Sequence, residues 1–126
     1  MQDQPKDKVE KTPGFRAVHK FAPISAQKVR PFADLIRGKG AEDAVSLLSC
    51  YPNRGARFLE KVLKSAIANA EDVANIPIER LYVSETFVDG GPMQRRWRAG
   101  SRGVSTIIRI RSSHINVAVD VSAEEN

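Results

Sequence analysis

The sequence predicts an α+β fold: a leading strand, three helices, then a long antiparallel hairpin. Three observations carry this. The apolar residues of the 126-residue chain change period once, from helical spacing up to about residue 74 to two-residue spacing after about residue 80. At 41% hydrophobic, the chain can fill one modest core, and its length suits one domain. Six arginines fall within residues 86–116 against one acid, Asp89, so that segment's net +5 equals the charge of the whole chain.

The elements follow in order. Residues 1–14 are polar, contain two prolines and lack periodicity, which predicts a mobile tail. Residues 15–22 alternate in part and lie between Pro13-Gly14 and Pro23, which suits a strand. Ser25 is a good N-cap for a helix through Val29, Phe32, Ala33 and Ile36, with Gly38 as its stop. Pro31 lies inside it, removes one backbone hydrogen bond and should kink it. A second helix fits Ala41–Cys50, broken by Pro52-Asn53-Arg54-Gly55. The third runs from about Ala56 to Ala74, with apolar residues at 59, 62, 63, 66, 67, 70 and 73 on one face.

Beyond Pro77, Leu81, Val83 and Phe87 share one strand face, and Ile115, Val117, Val119 and Val121 share another. Pairing those faces antiparallel at a residue sum of 202 sets Leu81 opposite Val121, Val83 opposite Val119 and Phe87 opposite Ile115. The turn then falls at about 99–103, where Gly100 and Gly103 supply turn chemistry. One hairpin from about 78 to 122, with its tip at about 98–104, therefore belongs to a single domain spanning 15–122, and 123–126 form an acidic tail. The middle of the hairpin carries Arg on both faces, so it cannot fold against its own core; a bare two-stranded ribbon is marginal in water and needs a partner.

Charge indicates the partner. The pI is about 9.7, which favours an anion. Every basic group of the ribbon is Arg, whose planar fork grips phosphate at two points and stacks on bases. Arg95, Arg96, Arg98, Arg102, Arg109 and Arg111 are the candidate RNA or DNA contacts, and Trp97 between two arginines can stack on a base or pack inward. A merely solvated hairpin that deters edge aggregation would more naturally use Lys with mixed acids.

Other chemistry is poorly supported. No apolar run reaches membrane-spanning length, and the N-terminus lacks the apolar core of a secretory signal, so an intracellular protein without a membrane partner is expected. One cysteine and two distant histidines give no metal-ligand spacing, and no cofactor is expected. Cys50 reads as a small buried residue. His19 and His114 sit on strands, where phosphate or backbone hydrogen bonding suits them better than catalysis. Glu42-Asp43 fits a helix's first turn, and Gly90-Gly91-Pro92 a bend or bulge. Three other readings are a free-standing β-ribbon regulator of DNA or RNA, a nuclease, and a module that binds acidic proteins. The ribbon offers a nuclease only Asp89.

Three motifs carry a family resemblance. His19-Lys20, then Ser25-Ala26-Gln27-Lys28-Val29-Arg30 and Ala33-Asp34-Leu35-Ile36-Arg37-Gly38-Lys39, resemble the opening helix of the bacterial-type large-subunit ribosomal protein L twenty-two family. Leu63-Lys64-Ser65-Ala66-Ile67-Ala68-Asn69-Ala70-Glu71 is similar to its third helix. Phe87-Val88-Asp89 with Gly91-Pro92, then Arg111 and Ser113-His114-Ile115 with Val117, is similar to its hairpin stem. The resemblance spans about residues 17–121. It implies three helices on a small three-stranded antiparallel sheet with a long protruding β-hairpin. It implies a non-enzymatic structural constituent of the cytoplasmic ribosome that aids assembly. Its partners would be large-subunit ribosomal RNA, neighbouring large-subunit proteins and, near the hairpin tip, the nascent polypeptide in its exit tunnel. Lys20, Lys28, Arg30 and His114 within the matching motifs then join the arginines and Trp97 as RNA contacts. The chain departs from the family at Pro31, where an apolar residue is usual, at Gly90, where Glu is usual, and at the tip, Trp97–Val104, which matches loosely.

Overall fold

The computed structural model describes residues 14–122; the expected acidic tail and, apart from Gly14, the expected mobile tail lie outside them. The chain runs β1 (Phe15–Ala22), α1 (Ala26–Ile36), α2 (Ala41–Ser49), α3 (Arg54–Ala74), β2 (Leu81–Gly90), β3 (Gln94–Ala99), β4 (Ser105–Ile110) and β5 (Ser113–Val121). Single 3-10 turns, Ile78–Arg80 and Ser101–Gly103, lead into β2 and form the hairpin tip.

The helices follow their apolar spacing. In α1, Ala26, Val29, Ala33 and Ile36 are buried, and Gly38 takes a positive φ of 83° just beyond the end. Ser25 has the extended backbone of an N-cap, but its hydroxyl makes no capping hydrogen bond. The helix is unbroken through Pro31, which lies exposed as does Gln27, the residue whose carbonyl it leaves without a donor. Helix α2 ends at Ser49, and Cys50, expected inside, is exposed at the cap position. In α3 the chain starts two residues earlier than the spacing suggests, because Arg54 and Gly55 join the helix rather than the preceding break. Gly55 is buried there against α1: a Cβ would lie 2.7 Å from the Lys28 carbonyl oxygen. Leu59, Val62, Leu63, Ala66, Ile67 and Ala70 are buried as expected, but Val73 is 75% exposed. The helix stops one residue later, where Asn75 turns left-handed with φ 54°.

The three-stranded sheet has the order β1-β5-β2, all antiparallel, with β5 in the centre. Helices α1 and α3 pack against it, burying Val83, Ile115, Val117 and Val119 with Leu48, Leu59 and Leu63. The pairs Leu81↔Val121 and Val83↔Val119 form as their spacing suggests. Phe87 opposite Ile115 does not. The register shifts between Val83 and Glu85, leaving an additional residue on β2, so Phe87 faces Asn116 and Val88 faces Ile115. The bulge moves the buried set from odd to even positions: Thr86 and Val88 point inward, and Phe87 is only half-buried.

The long hairpin is therefore two ladders rather than one. Past Gly90, Pro92 and Met93 interrupt the pairing on one side and Arg111 and Ser112 on the other. The joint is tied by Gly91 N–H donating to the Ser112 carbonyl (2.9 Å) and Ser112 Oγ–H to the Pro92 carbonyl (2.7 Å). The outer ladder, β3 with β4, pairs Gln94↔Ile110 through Ala99↔Ser105, and Arg102 and Gly103 turn the tip with φ of 58° and 73°.

Candidate nucleic-acid interface

The outer ladder has no body to rest on. Every residue of β3 is exposed, and β4 has only one half-buried residue, Ile108. β3 and β4 make extensive contact only with each other. A residue sum of 204 sorts the side chains into two faces. One carries Arg96 and Arg98 with Ile108 and Ile110; the other carries Arg95, Trp97, Ile107 and Arg109. Trp97 sits opposite Ile107, a cross-strand pair that supports the ribbon, yet it remains 69% exposed. Arg95 sits directly opposite Arg109, so two like charges face each other across the ladder, an arrangement that opposes pairing until an anion lies over it.

The ribbon arginines are not neutralised within the molecule. Among the described residues, ion pairs join Arg16 to Glu85, Arg37 to Asp34 and Lys64 to Glu60, and none involves residues 95–111. Among the described residues Arg96 alone of the six uses its guanidinium in hydrogen bonds, donating to the Arg95 carbonyl and to Gln94 Oε1, both 3.0 Å. Arg95, Arg98, Arg102, Arg109 and Arg111 stand exposed.

The other sequence-predicted residues lie on the body. Arg30 and Arg111 come together in a cleft of about 210 Å³ at the hairpin joint, lined also by Ser25, Gln27, Gly91 and Ser112. Arg30 donates through Nε to the Val88 carbonyl (3.1 Å), so α1 holds its guanidinium beside the stem. Lys28 is exposed on α1 but does not line this cleft. Lys20 is exposed on β1. His114 is half-buried and accepts the Phe21 N–H at Nδ1 (3.1 Å), so that nitrogen is occupied and only Nε2 remains for another partner.

A second basic surface escapes the charge count along the sequence. Arg54, Arg57, Lys61 and Lys64 line a groove of about 370 Å³ beside Phe58, with Glu60 as the acid in its wall. Arg54 sits 5.4 Å from the Phe58 ring centroid, and a shallower groove continues past Lys61 to His19 and Lys20 on β1. A count over residues 25–80 is nearly balanced, nine basic to seven acidic, and hides the first half of α3, where residues 54–64 carry four bases against one acid, Glu60. Among the described residues no group of three or more His, Cys, Asp and Glu side chains could hold a metal, and no helix is long and apolar enough to cross a membrane.

Comparison with known proteins agrees in kind. Residues 17–120 match the family described as "Ribosomal protein L22p/L17e". The chain is 48% identical over 103 residues to the large ribosomal subunit protein uL22 of Caldicellulosiruptor saccharolyticus, covering 82% of this chain and 84% of that one. It is 49% identical over 110 residues to the uL22 of Rhodopirellula baltica, covering 83% and 92%. For the uL22 of Ligilactobacillus salivarius the figures are 45% over 112 residues, 89% and 97%. The match spans the stem, the ribbon and all three helices.

Proposed function

The chain belongs to the ribosomal protein L22p/L17e family and is a structural constituent of the large ribosomal subunit, and from this we infer that its arginine ribbon is the part that enters large-subunit ribosomal RNA. One observation carries the reading: Arg95, Arg98 and Arg109 on the outer ladder, Arg102 at its tip and Arg111 at its joint are exposed, their side chains make no hydrogen bond or ion pair among the described residues, and no helix packs extensively on the ladder. Such a ribbon gains little from its own contacts. Phosphates on both faces would relieve the opposition of Arg95 to Arg109 and form charge-assisted hydrogen bonds with the guanidinium groups. Trp97, 69% exposed, supplies a stacking surface between them.

The body's part is to hold the stem. Arg30 and Arg111 at the joint, with Lys20, Lys28 and the Nε2 side of His114, would contact RNA where the hairpin leaves the body. The tip at 100–104 would then help line the nascent-peptide exit tunnel, its close turn set by Gly100 and by the left-handed Arg102 and Gly103. The family is one of ribosomal proteins rather than enzymes, and the chain's role is assembly and architecture, not catalysis.

Sucrose-gradient fractionation tests this. The chain should co-migrate with large subunits and remain there after a high-salt wash. A chain found only in the free pool would overturn the reading. A photo-crosslinker at Arg102 should capture a stalled nascent chain, whereas capture of RNA alone would remove the tip from the tunnel wall.

A further inference from the structure

Strict alternation along β1 would turn Phe21 inward. Phe15, Ala17 and His19 are its half-covered residues, and position 21 continues their parity. Instead, the pairing shifts from His19↔Ile115 to Ala22↔Ser113, so Lys20 and Phe21 together face the single residue His114. Ala22 takes the inward place at 0% exposure, and Phe21 is thrown out to 62%. It does so with φ of 60°, a left-handed conformation that a bulky L residue seldom adopts.

The conformation is held from several sides. Phe21 N–H donates to His114 Nδ1 (3.1 Å), and the two rings meet edge to face with centroids 4.9 Å apart. The next turn is pinned by Ile24 N–H on the Ala22 carbonyl (2.7 Å), with Ala22 and Ile24 both buried. Gly91 backs the imidazole so closely that a Cβ there would lie 3.3 Å from His114 Cε1 and 2.6 Å from Ser112 Oγ. An unfavourable backbone held this firmly displays an aromatic ring to solvent rather than covering it.

The surroundings suit a polyanion. Lys20 shares the bulge. Arg54 donates to the Pro23 carbonyl (2.9 Å) two residues on, and Arg111 lines the adjoining cleft with Gly91 and Ser112. Asp89 is the acid opposite His114 in the register. An exposed π-face among cations is how proteins hold unpaired bases: the ring accepts any base while the cations take the backbone. We propose that Phe21, positioned by His114, is a stacking platform for an unpaired nucleobase at the base of the hairpin, a reading that rests on the ribosomal-RNA function above and adds a contact outside the ribbon.

The test uses the full chain and deproteinised large-subunit ribosomal RNA in filter binding. Phe21→Leu should weaken binding about 5- to 150-fold, the range typical of losing one base–aromatic stack, and Phe21→Tyr should restore it. Because no phosphate contact is lost, the slope of log K against log salt should stay that of the wild type. Phe21→Gly gives a second readout: relief of the left-handed strain should raise the melting temperature while affinity falls, a divergence that misfolding cannot produce. Wild-type binding with unchanged affinity in Phe21→Leu and Phe21→Gly would overturn the platform alone. So would normal RNA affinity with impaired subunit assembly, which would give the ring to a neighbouring protein. Absence of RNA binding by the wild type would instead overturn the ribosomal-RNA reading beneath it.

Discussion

Thr86 shows how one residue can record a change in the path of the chain. Its position, odd-for-even after the β2 bulge, buries it at 1% exposure, and its hydroxyl finds no hydrogen-bond partner among the described residues. A buried hydroxyl without a partner forfeits its hydration, whereas a methyl of the same shape forfeits nothing. Thr86→Val should therefore raise stability by about 1 kcal/mol, read as a higher denaturant midpoint with an unchanged slope; a loss of stability would mean the hydroxyl is served after all. Leu63 and Arg98 make the opposite pair. Leu63 is fully buried on α3, so Leu63→Ala should cost about 2–5 kcal/mol. Arg98 is exposed with its side chain unsupported by the body, so Arg98→Ala should leave the melting temperature of the free protein near that of the wild type. Equal destabilisation in the two variants would mean that the ribbon folds onto the helices.

At the scale of elements, what was legible depended on whether a period runs unbroken. The face of α3 from Leu59 to Ala70 could be read because helix geometry is local, and the tip could be read because Gly100 and Gly103 have few other uses. Val73 misled because the helix ends one residue later and nothing packs over its last turn. Bulges are the harder case. Ser84 and the Lys20-Phe21 pair each add one residue to a strand, and nothing in their residue types marks them; only the three-dimensional pairing reveals that Phe87 and Phe21 have changed sides. The six arginines and Trp97 of the interface could be read from linear composition; Arg54, Arg57, Lys61 and Lys64 share one stretch of α3 that a count over a wider window hides, and only their continuation to His19 and Lys20 required the helix to be folded against β1. The joint at Gly91 and Ser112 separates two elements that the sequence joins. It predicts that excising residues 94–110 and closing the chain with a short turn leaves the body folded, with far-ultraviolet circular dichroism and cooperativity of melting retained. Collapse of the body on excision would show that the outer ladder supports the inner one.

Across the whole molecule, charge is sorted along the strands. β1 and β2 end, and β5 begins, where the hairpin leaves; that end also holds the start of α3, since Arg54 bonds the Pro23 carbonyl. Lys20, Lys28, Arg30, Arg54 and Arg57 gather there against Asp89 on β2, whereas Glu71, Asp72, Glu79 and Asp120 belong to the other end with Arg16 and Arg80, where Asn69 bonds the Arg16 carbonyl and Leu81 faces Val121. An RNA that grips the ribbon therefore meets a shoulder in which bases outnumber acids. The strand rise of about 3.3 Å per residue gives the 13 or so residues from Phe87 to the tip a projection on the order of 40 Å, shortened by twist and by the joint at Gly91, so the phosphates engaged by ribbon and shoulder are distinct. Salt dependence separates their shares. If ~4–6 phosphates are neutralised by the isolated chain, log K for large-subunit RNA against log salt should fall with a slope of roughly −3 to −5. Replacing all six ribbon arginines with Gln should remove most of that slope, and replacing Arg54, Arg57, Lys61 and Lys64 should remove a smaller part. A slope unmoved by the ribbon replacements but flattened by those on α3 would reverse the assignment, making the helix face the anchor and leaving the ribbon to bind only after the body has docked.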